Sequence, residues 1–304
     1  MSQELERVIE VAGRILLGKQ EAIRLSLACL LARGHLLIED LPGVGKTTLA
    51  HTLARLLGLH YQRIQFTSDL LPADILGVSV FDREKQDFRF HPGPVFAQLV
   101  LADEINRATP KAQSALLEAM EEGQVTTEGE TRPLPEPFFV VATQNPSHQV
   151  GTFPLPESQL DRFFMRVQIG YPPRQAEREL LSGSDRRAMI AQQPVLLSPQ
   201  RLGELQLRVE QVHVAGPLLD YCQDILDYTR NSPQFRHGLS PRAGLALLKG
   251  ARAWALLQGR GQVLPEDLQA ILPATVGHRL QPAGERSPQT DGLIRELLEA
   301  VPVP

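Results

Sequence analysis

The chain has 304 residues, 42% hydrophobic and 22% charged. That composition excludes wholesale disorder, and the length allows one large or two ordinary domains. Basic residues number 31 against 35 acidic, a net charge of -4, which argues against a surface devoted to nucleic acid or anionic membrane.

The opening MSQELERVIEV reads as an amphipathic helix, with Leu5, Val8, Ile9, Ala12, Ile15 and Leu16 at helical spacing, and not as a secretion signal. A second helix over 19–33 stops at Gly34. The longest uncharged apolar run, Leu25 to Ala32, is far short of the roughly 20 residues that cross a bilayer. A reducing cytoplasm is the expected location. His35–Glu39 is a short apolar strand, followed by turn residues and a helical run over Thr47–Leu57.

Strands follow at Tyr61–Phe66, Leu99–Ala102, 138–143 and 163–169, with a helix over 109–122. Strands alternating with helices predict an α/β fold, a parallel sheet flanked by helices. Two hairpins interrupt it. One pairs Val78–Phe81 with Phe88–Phe90, and the other spans 123–137 with a Glu-Gly turn. After Tyr171-Pro172-Pro173 the strands cease, and helices are expected over 174–186, 199–213, 217–230, 241–258 and 265–278. The expected organisation is an α/β core over 1–170, an all-helical domain over 171–280 and a tail over 281–304.

The strongest chemical signal is Asp40-Leu41-Pro42-Gly43-Val44-Gly45-Lys46-Thr47, with Thr48 next, between a buried strand and a helix start. Backbone N–H groups there, with the helix dipole, make an anion site. Gly43 and Gly45 let the backbone approach a phosphate. Lys46 would reach the β- and γ-phosphates, and Thr47 would hold Mg²⁺. The phosphate-loop pattern asks for Gly at position 40, where this chain has Asp, and a carboxylate beside phosphate is repulsive unless it points away.

Asp103 and Glu104 end a buried strand, where open parallel sheets place their ligands. Asp103 would bind Mg²⁺ directly or through water, and Glu104 would polarise an attacking water. Asn145 follows the next buried strand, where a neutral amide can hold the water or the γ-phosphate. Cys29 and Cys222 read as buried small hydrophobes, without a disulfide framework or zinc spacing. His35, His60, His91, His148, His213, His237 and His278 lack metal-ligand spacing, and His51 reads as packing. No Gly-x-Ser-x-Gly elbow supports acyl hydrolysis.

Phosphate loop, acidic pair and strand-end Asn ahead of a helical domain resemble a P-loop AAA+ ATPase. RIQFTSDLLPADILG (63–77), FRFHPGPVF (88–96), LADEINRATPKAQSALLEAMEEGQVTTEGETRPLPEPFFVVATQNP (101–146) and GTFPLPESQLDRFF (151–164) are similar to the MoxR family. The resemblance covers roughly 4–280, and Asp at position 40 is familiar there. It implies an AAA+ core with a helical lid, and ATP and Mg²⁺ as cofactors. Arg162 matches the arginine finger, which reaches a neighbouring subunit's nucleotide. Arg242 in Gly238-Leu239-Ser240-Pro241-Arg242 matches the sensor-2 arginine, which would contact the γ-phosphate from the lid, with nucleotide between core and lid.

A finger acting in trans implies a homo-oligomeric ring, a hexamer. The resemblance also implies chaperone-like remodelling or maturation of a client protein, with a partner bearing a von Willebrand factor A domain, and hairpins that face the pore or a partner. Two rival motors share the architecture: a chelatase-type subunit driving metal insertion and a nucleic-acid-dependent ATPase. The charge balance argues against the latter. A non-enzymatic nucleotide switch is a third alternative, which the full set of Glu104, Asn145, Arg162 and Arg242 disfavours.

Overall fold

A computed structural model describes residues 2–145, 151–183, 185–283 and 290–303. Pro146 and His148 lie outside them. The first half contains α1 (Ser2–Ile15), α2 (Gln20–Leu31), β1 (Leu36–Glu39), α3 (Lys46–Leu56), β2 (Tyr61–Gln65), α4 (Pro72–Leu76), β3 (Gly77–Asp82), β4 (Asp87–Pro92), β5 (Leu99–Asp103) and α5 (Pro110–Glu122). Then come β6 (Gln124–Thr127), β7 (Glu130–Pro133), β8 (Phe139–Gln144), α6 (Glu157–Leu160) and β9 (Met165–Val167). Only helices follow: α7 (Arg174–Ser182), α8 (Arg186–Ala191), α9 (Pro199–Gln211), α10 (Gly216–Asn231), α11 (Pro241–Leu257), α12 (Pro265–Val276) and α13 (Thr290–Ala300).

β1, β2, β5, β8 and β9 form one parallel sheet in the order β2-β5-β8-β1-β9. Leu36 to Ile38 and all of β5 are buried, as strands covered on both faces must be. The registers align the strand ends. Ile38 pairs with Thr143, Glu39 with Gln144, and Ala102 with Ala142. The chain segments leaving β1, β5 and β8 therefore emerge side by side at one edge.

Helix starts are written locally. Thr109, Ser198 and Ser240 each accept the backbone N–H three residues on, and each precedes a proline. Hydroxyl caps and first-position prolines together fix where α5, α9 and α11 begin. The two hairpins, β3–β4 and β6–β7, are separate two-stranded sheets. The turn between β6 and β7 uses Glu128 (φ 54°) and Gly129 (φ 82°), the left-handed pair that a tight hairpin needs.

Two apolar clusters cover the two faces of the sheet. Leu37, Val100 and Val140 pack with α5 and the hairpin bases on one side. On the other, Leu36, Ile38, Leu101 and Val141 join α1, α2, α3 and helices α9 to α13 in a continuous core. The C-terminal helices are thus cemented to the sheet by shared apolar burial.

Two expectations need correction. The helix expected over 174–186 breaks at Gly183, where a β-carbon would lie 2.6 Å from the Glu179 carbonyl oxygen, and resumes as α8. The 281–304 segment, unplaced from the sequence, carries α13, whose Leu293, Ile294 and Leu297 are buried in the larger core.

His35 precedes β1. Its Nδ1 accepts the Val140 N–H at 3.1 Å, and its Nε2 lies 3.1 Å from the Met120 carbonyl oxygen. Both contacts suit a neutral ring protonated at Nε2. Burial pulls its pKa down to about 4, against the favourable Met120 carbonyl. The unfolded chain binds this proton at about pH 6.5, so stability is complete above that pH and is lost as pH falls toward 4. His278, also buried, is shifted in the same direction. Urea unfolding should show the protein losing about 2 kcal/mol more than His35→Gln between pH 7 and pH 5. Equal slopes for the two would contradict a neutral native His35.

Candidate functional site

The loop from Asp40 to Gly45 turns the chain from β1 into α3. Gly43 (φ +84°) and Gly45 (φ +104°) adopt left-handed conformations, which cost a residue with a β-carbon about 1–2 kcal/mol. Gly45 is also the N-cap of α3 and brings no side chain to its first N–H groups. They lie in an open loop where Pro42, Gly43 and Thr47 are exposed and Val44, Gly45 and Thr48 half-buried. Unspent donors and the dipole make that end attractive to phosphate.

Lys46 is buried, and its Nζ donates to neutral oxygens: the Asp40 carbonyl, Asn145 Oδ1 at 2.8 Å and the Gln144 carbonyl at 3.5 Å. Burial lowers its pKa, opposed by Asp40, Asp103 and Glu104. A buried cation on neutral acceptors is primed for an anion.

Asp40 does not meet the repulsion that its position suggested. Its Oδ1 accepts the Leu41 N–H at 2.7 Å, while Oδ2 accepts the N–H groups of Ile169 (2.7 Å) and Gly170 (2.5 Å). Lys19 Nζ grips the Gly170 carbonyl from the other side at 2.8 Å. The acid therefore fastens the phosphate loop to the segment leaving β9.

At the neighbouring strand ends, polar groups link in series. Asn145 Nδ2 donates to Glu104 Oε1 at 3.1 Å, so Lys46, Asn145 and Glu104 form one hydrogen-bonded chain. The Thr143 hydroxyl donates to Asp103 Oδ1 (2.6 Å) and accepts the Glu104 N–H (2.9 Å). Glu104 has φ 57°, rare for a residue with a side chain, and strain of this kind concentrates at working sites. Its Oε2 is held by Gln65 Nε2 at 3.1 Å and Arg107 Nε at 3.0 Å. Arg63 chelates Asp103 Oδ2 through two nitrogens at 3.1 and 2.7 Å.

These residues fit a magnesium nucleotide. Among the described residues no cluster of three or more His, Cys, Asp or Glu could cage a metal. Mg²⁺ typically keeps its waters and takes one or two protein oxygens beside substrate phosphates. Asp103 and the exposed Thr47 hydroxyl supply that kind of donor set.

Arg162 and Arg242 lie elsewhere. Met165 pairs with Leu36, so Arg162 precedes the start of the strands, whereas Lys46 and Glu104 follow their ends. Four residues of β1 at about 3.3 Å each, roughly 13 Å, separate the two levels. Arg162 donates to the Leu117 carbonyl at 3.0 Å and pairs with Glu121, in the last turn of α5. Arg242 takes the other oxygen of Glu121 at 3.0 Å and Asp161 at 3.5 Å. Expected to contact the γ-phosphate from the lid, Arg242 is seated beside Glu121 and Asp161 in this structure. The shared core seats the start of α11 beside Arg162. Arg33, Glu121, Asp161, Arg162, Arg242 and Arg279 line a cavity of about 290 Å³, four cations against two anions.

Sequence reading missed Arg63, Gln65, Thr143, Glu121 and Arg279. Arg63 and Gln65 alternate on β2, but only the pairing of β2 with β5 shows that they face the acidic pair.

Residues 35–165 match the family described as "ATPase family associated with various cellular activities (AAA)", and residues 227–299 match the AAA lid domain. Over 314 residues the chain is 40% identical to Chaperone MoxR1 of Mycobacterium tuberculosis, covering 99% of this chain and 82% of that protein. It belongs to the MoxR family of AAA+ ATPases. Other MoxR-type relatives include Protein MoxR of Paracoccus denitrificans, 33% identical over 95% of this chain and 93% of that protein. YeaC of Bacillus subtilis is 45% identical over 99% and 95%. A crystal structure of a Cytophaga hutchinsonii protein, described as a candidate ATPase, superposes with a TM-score of 0.90 at 34% identity, covering 100% of this chain and 96% of that one.

Asp40 gives this MoxR-family chain a test of its own. Replacing the acid with the glycine of the general phosphate-loop pattern, Asp40→Gly, should destabilise the protein by about 1.5–3 kcal/mol, because the N–H groups of Leu41, Ile169 and Gly170 lose a charged acceptor. Urea unfolding at neutral pH checks it, and an unchanged midpoint would show that the tether contributes nothing.

Proposed function

We propose that this MoxR-family chain hydrolyses Mg-ATP in a homo-oligomeric ring, a hexamer, in the cytoplasm. The cycle would drive remodelling or maturation of a client protein, together with a partner bearing a von Willebrand factor A domain. One observation carries the reading. Lys46, Asn145 and Glu104 are hydrogen-bonded in series at one end of the sheet, and Arg162 and Arg242 share Glu121 at the other.

In this reading the backbone of Pro42 to Thr48 and the Lys46 ammonium hold the phosphates, and Thr47 and Asp103 hold the metal. Bound Mg-ATP supplies the phosphoanhydride bond that is cleaved. Glu104 orients the attacking water and takes up its proton as the bond to phosphorus forms. Asn145 hands Lys46 to the γ-phosphate and keeps Glu104 aligned. Arg162 and Arg242 face away from the protomer's own loop, so they serve the adjacent protomer, where their charge offsets that developing on the phosphoryl oxygens. Ring closure by repetition of one heterologous contact follows. The curated relative named Chaperone MoxR1 supports the remodelling role.

Calorimetry and phosphate release test this together. Lys46→Ala should lose ATP affinity by at least about tenfold, and Glu104→Gln should bind ATP yet turn over about 10²–10⁴ times more slowly. Wild-type activity per protomer should climb with concentration as rings form. Full turnover by Glu104→Gln, or undiminished activity in isolated protomers, would contradict the proposal.

A further inference from the structure

The finger segment, Asp161 to Phe164, is gripped at several of its polar atoms by a single guanidinium from the helical half. Arg279 follows the end of α12 and is only 6% exposed. Its Nε donates to Asp161 Oδ1 at 2.7 Å. One terminal nitrogen donates to the Phe163 carbonyl at 2.8 Å and the Asp161 carbonyl at 3.3 Å. The other donates to the Phe164 carbonyl at 3.2 Å and to the Thr275 carbonyl one turn back on α12. The neighbouring His278 places Nε2 2.9 Å from the same Phe163 carbonyl. The guanidinium thus spans the backbone on both sides of Arg162 without touching Arg162 itself.

Exposure is graded across the three arginines. Arg279 is enclosed, Arg162 is 31% exposed and Arg242 56% exposed. An enclosed guanidinium whose donors are spent on local carbonyls and a carboxylate is committed to architecture. The two outer guanidinia, which share Glu121, are the ones free to exchange that carboxylate for a phosphate. Asp161 joins the tiers, accepting from Arg279 through Oδ1 and lying 3.5 Å from Arg242 through Oδ2.

We infer that Arg279 is the positioning residue for the trans arginines: it fastens the Arg162 segment to α12, so that finger and helical domain present themselves to the neighbouring protomer as one rigid body. Lysine cannot replace it, because one ammonium cannot span Asp161, Phe163 and Phe164 at once. Motion of the helices would then be transmitted to the finger by hydrogen bonds, in addition to the apolar core. The inference rests on the trans reading proposed above, and its test separates the two.

Arg279→Lys is prepared with Asp161→Asn, which removes the same link from the less buried side. Both variants keep the phosphate loop, Glu104 and Asn145. Each should bind ATP within about threefold of wild type, as a site remote from the change requires, with kcat down about 10- to 100-fold, the scale set by a catalytic group displaced by about 1 Å. Mixing either variant with Glu104→Gln should restore hydrolysis well above that of each alone. At mixed interfaces an intact Glu104 meets an intact finger segment from the other chain. Arg162→Ala mixed with Glu104→Gln is the control. If the control recovers activity while both Arg279→Lys and Asp161→Asn mixtures stay inactive, or if both variants turn over at the wild-type rate, the positioning role is overturned. If the control itself does not recover, the trans reading falls and this inference with it.

Discussion

The parallel sheet imposes one constraint on everything else. All five strands point the same way, so their ends share one edge and their beginnings another. The phosphate loop, the acidic pair and Asn145 depend on the first edge. The segment from Asp161 to Phe164, which enters β9, and the end of α5, which runs back from the first edge, belong to the second. In the reading proposed above, a set divided in this way would make the contact between protomers part of the chemistry.

Polar groups at both edges are held by local hydrogen bonds and ion pairs that a nucleotide could exchange. Lys46 rests on carbonyl and amide oxygens, Glu104 is shared among Asn145, Gln65 and Arg107, and Glu121 occupies both outer arginines. Each contact is a substitute of modest strength for a more highly charged partner. Desolvation makes the buried ones sensitive to what replaces them. Asp40 differs: its oxygens are committed to backbone donors, which makes it a fixed strut between the loop and the exit of β9.

The sheet, both hairpins and the phosphate loop were legible in the sequence because they are written in local signals. Apolar runs such as Leu99–Ala102, a left-handed Glu-Gly turn and proline after a capping hydroxyl each act over a few residues. That Lys46, Asp103, Glu104 and Asn145 come together beside the strand ends was also legible. Arg162 and Arg242 came only from the family resemblance, and the seat of Arg242 was not legible at all. It depends on α11 packing against α2 and on Glu121 arriving from a distant helix. The same holds for Arg63 and Arg279, whose roles exist only once strand order and helix docking bring them to Asp103 and Asp161. The apolar segment that forms α13 had no place from sequence alone, because its apolar face acquires meaning only against the core that buries it.

The most direct measurement is a structure of the Glu104→Gln variant filled with ATP. The account predicts a closed ring in which Arg162 and Arg242 of each protomer lie within hydrogen-bonding distance of the adjacent protomer's γ-phosphate, both released from Glu121. An Arg242 folded over the phosphates bound by its own Lys46 would contradict it.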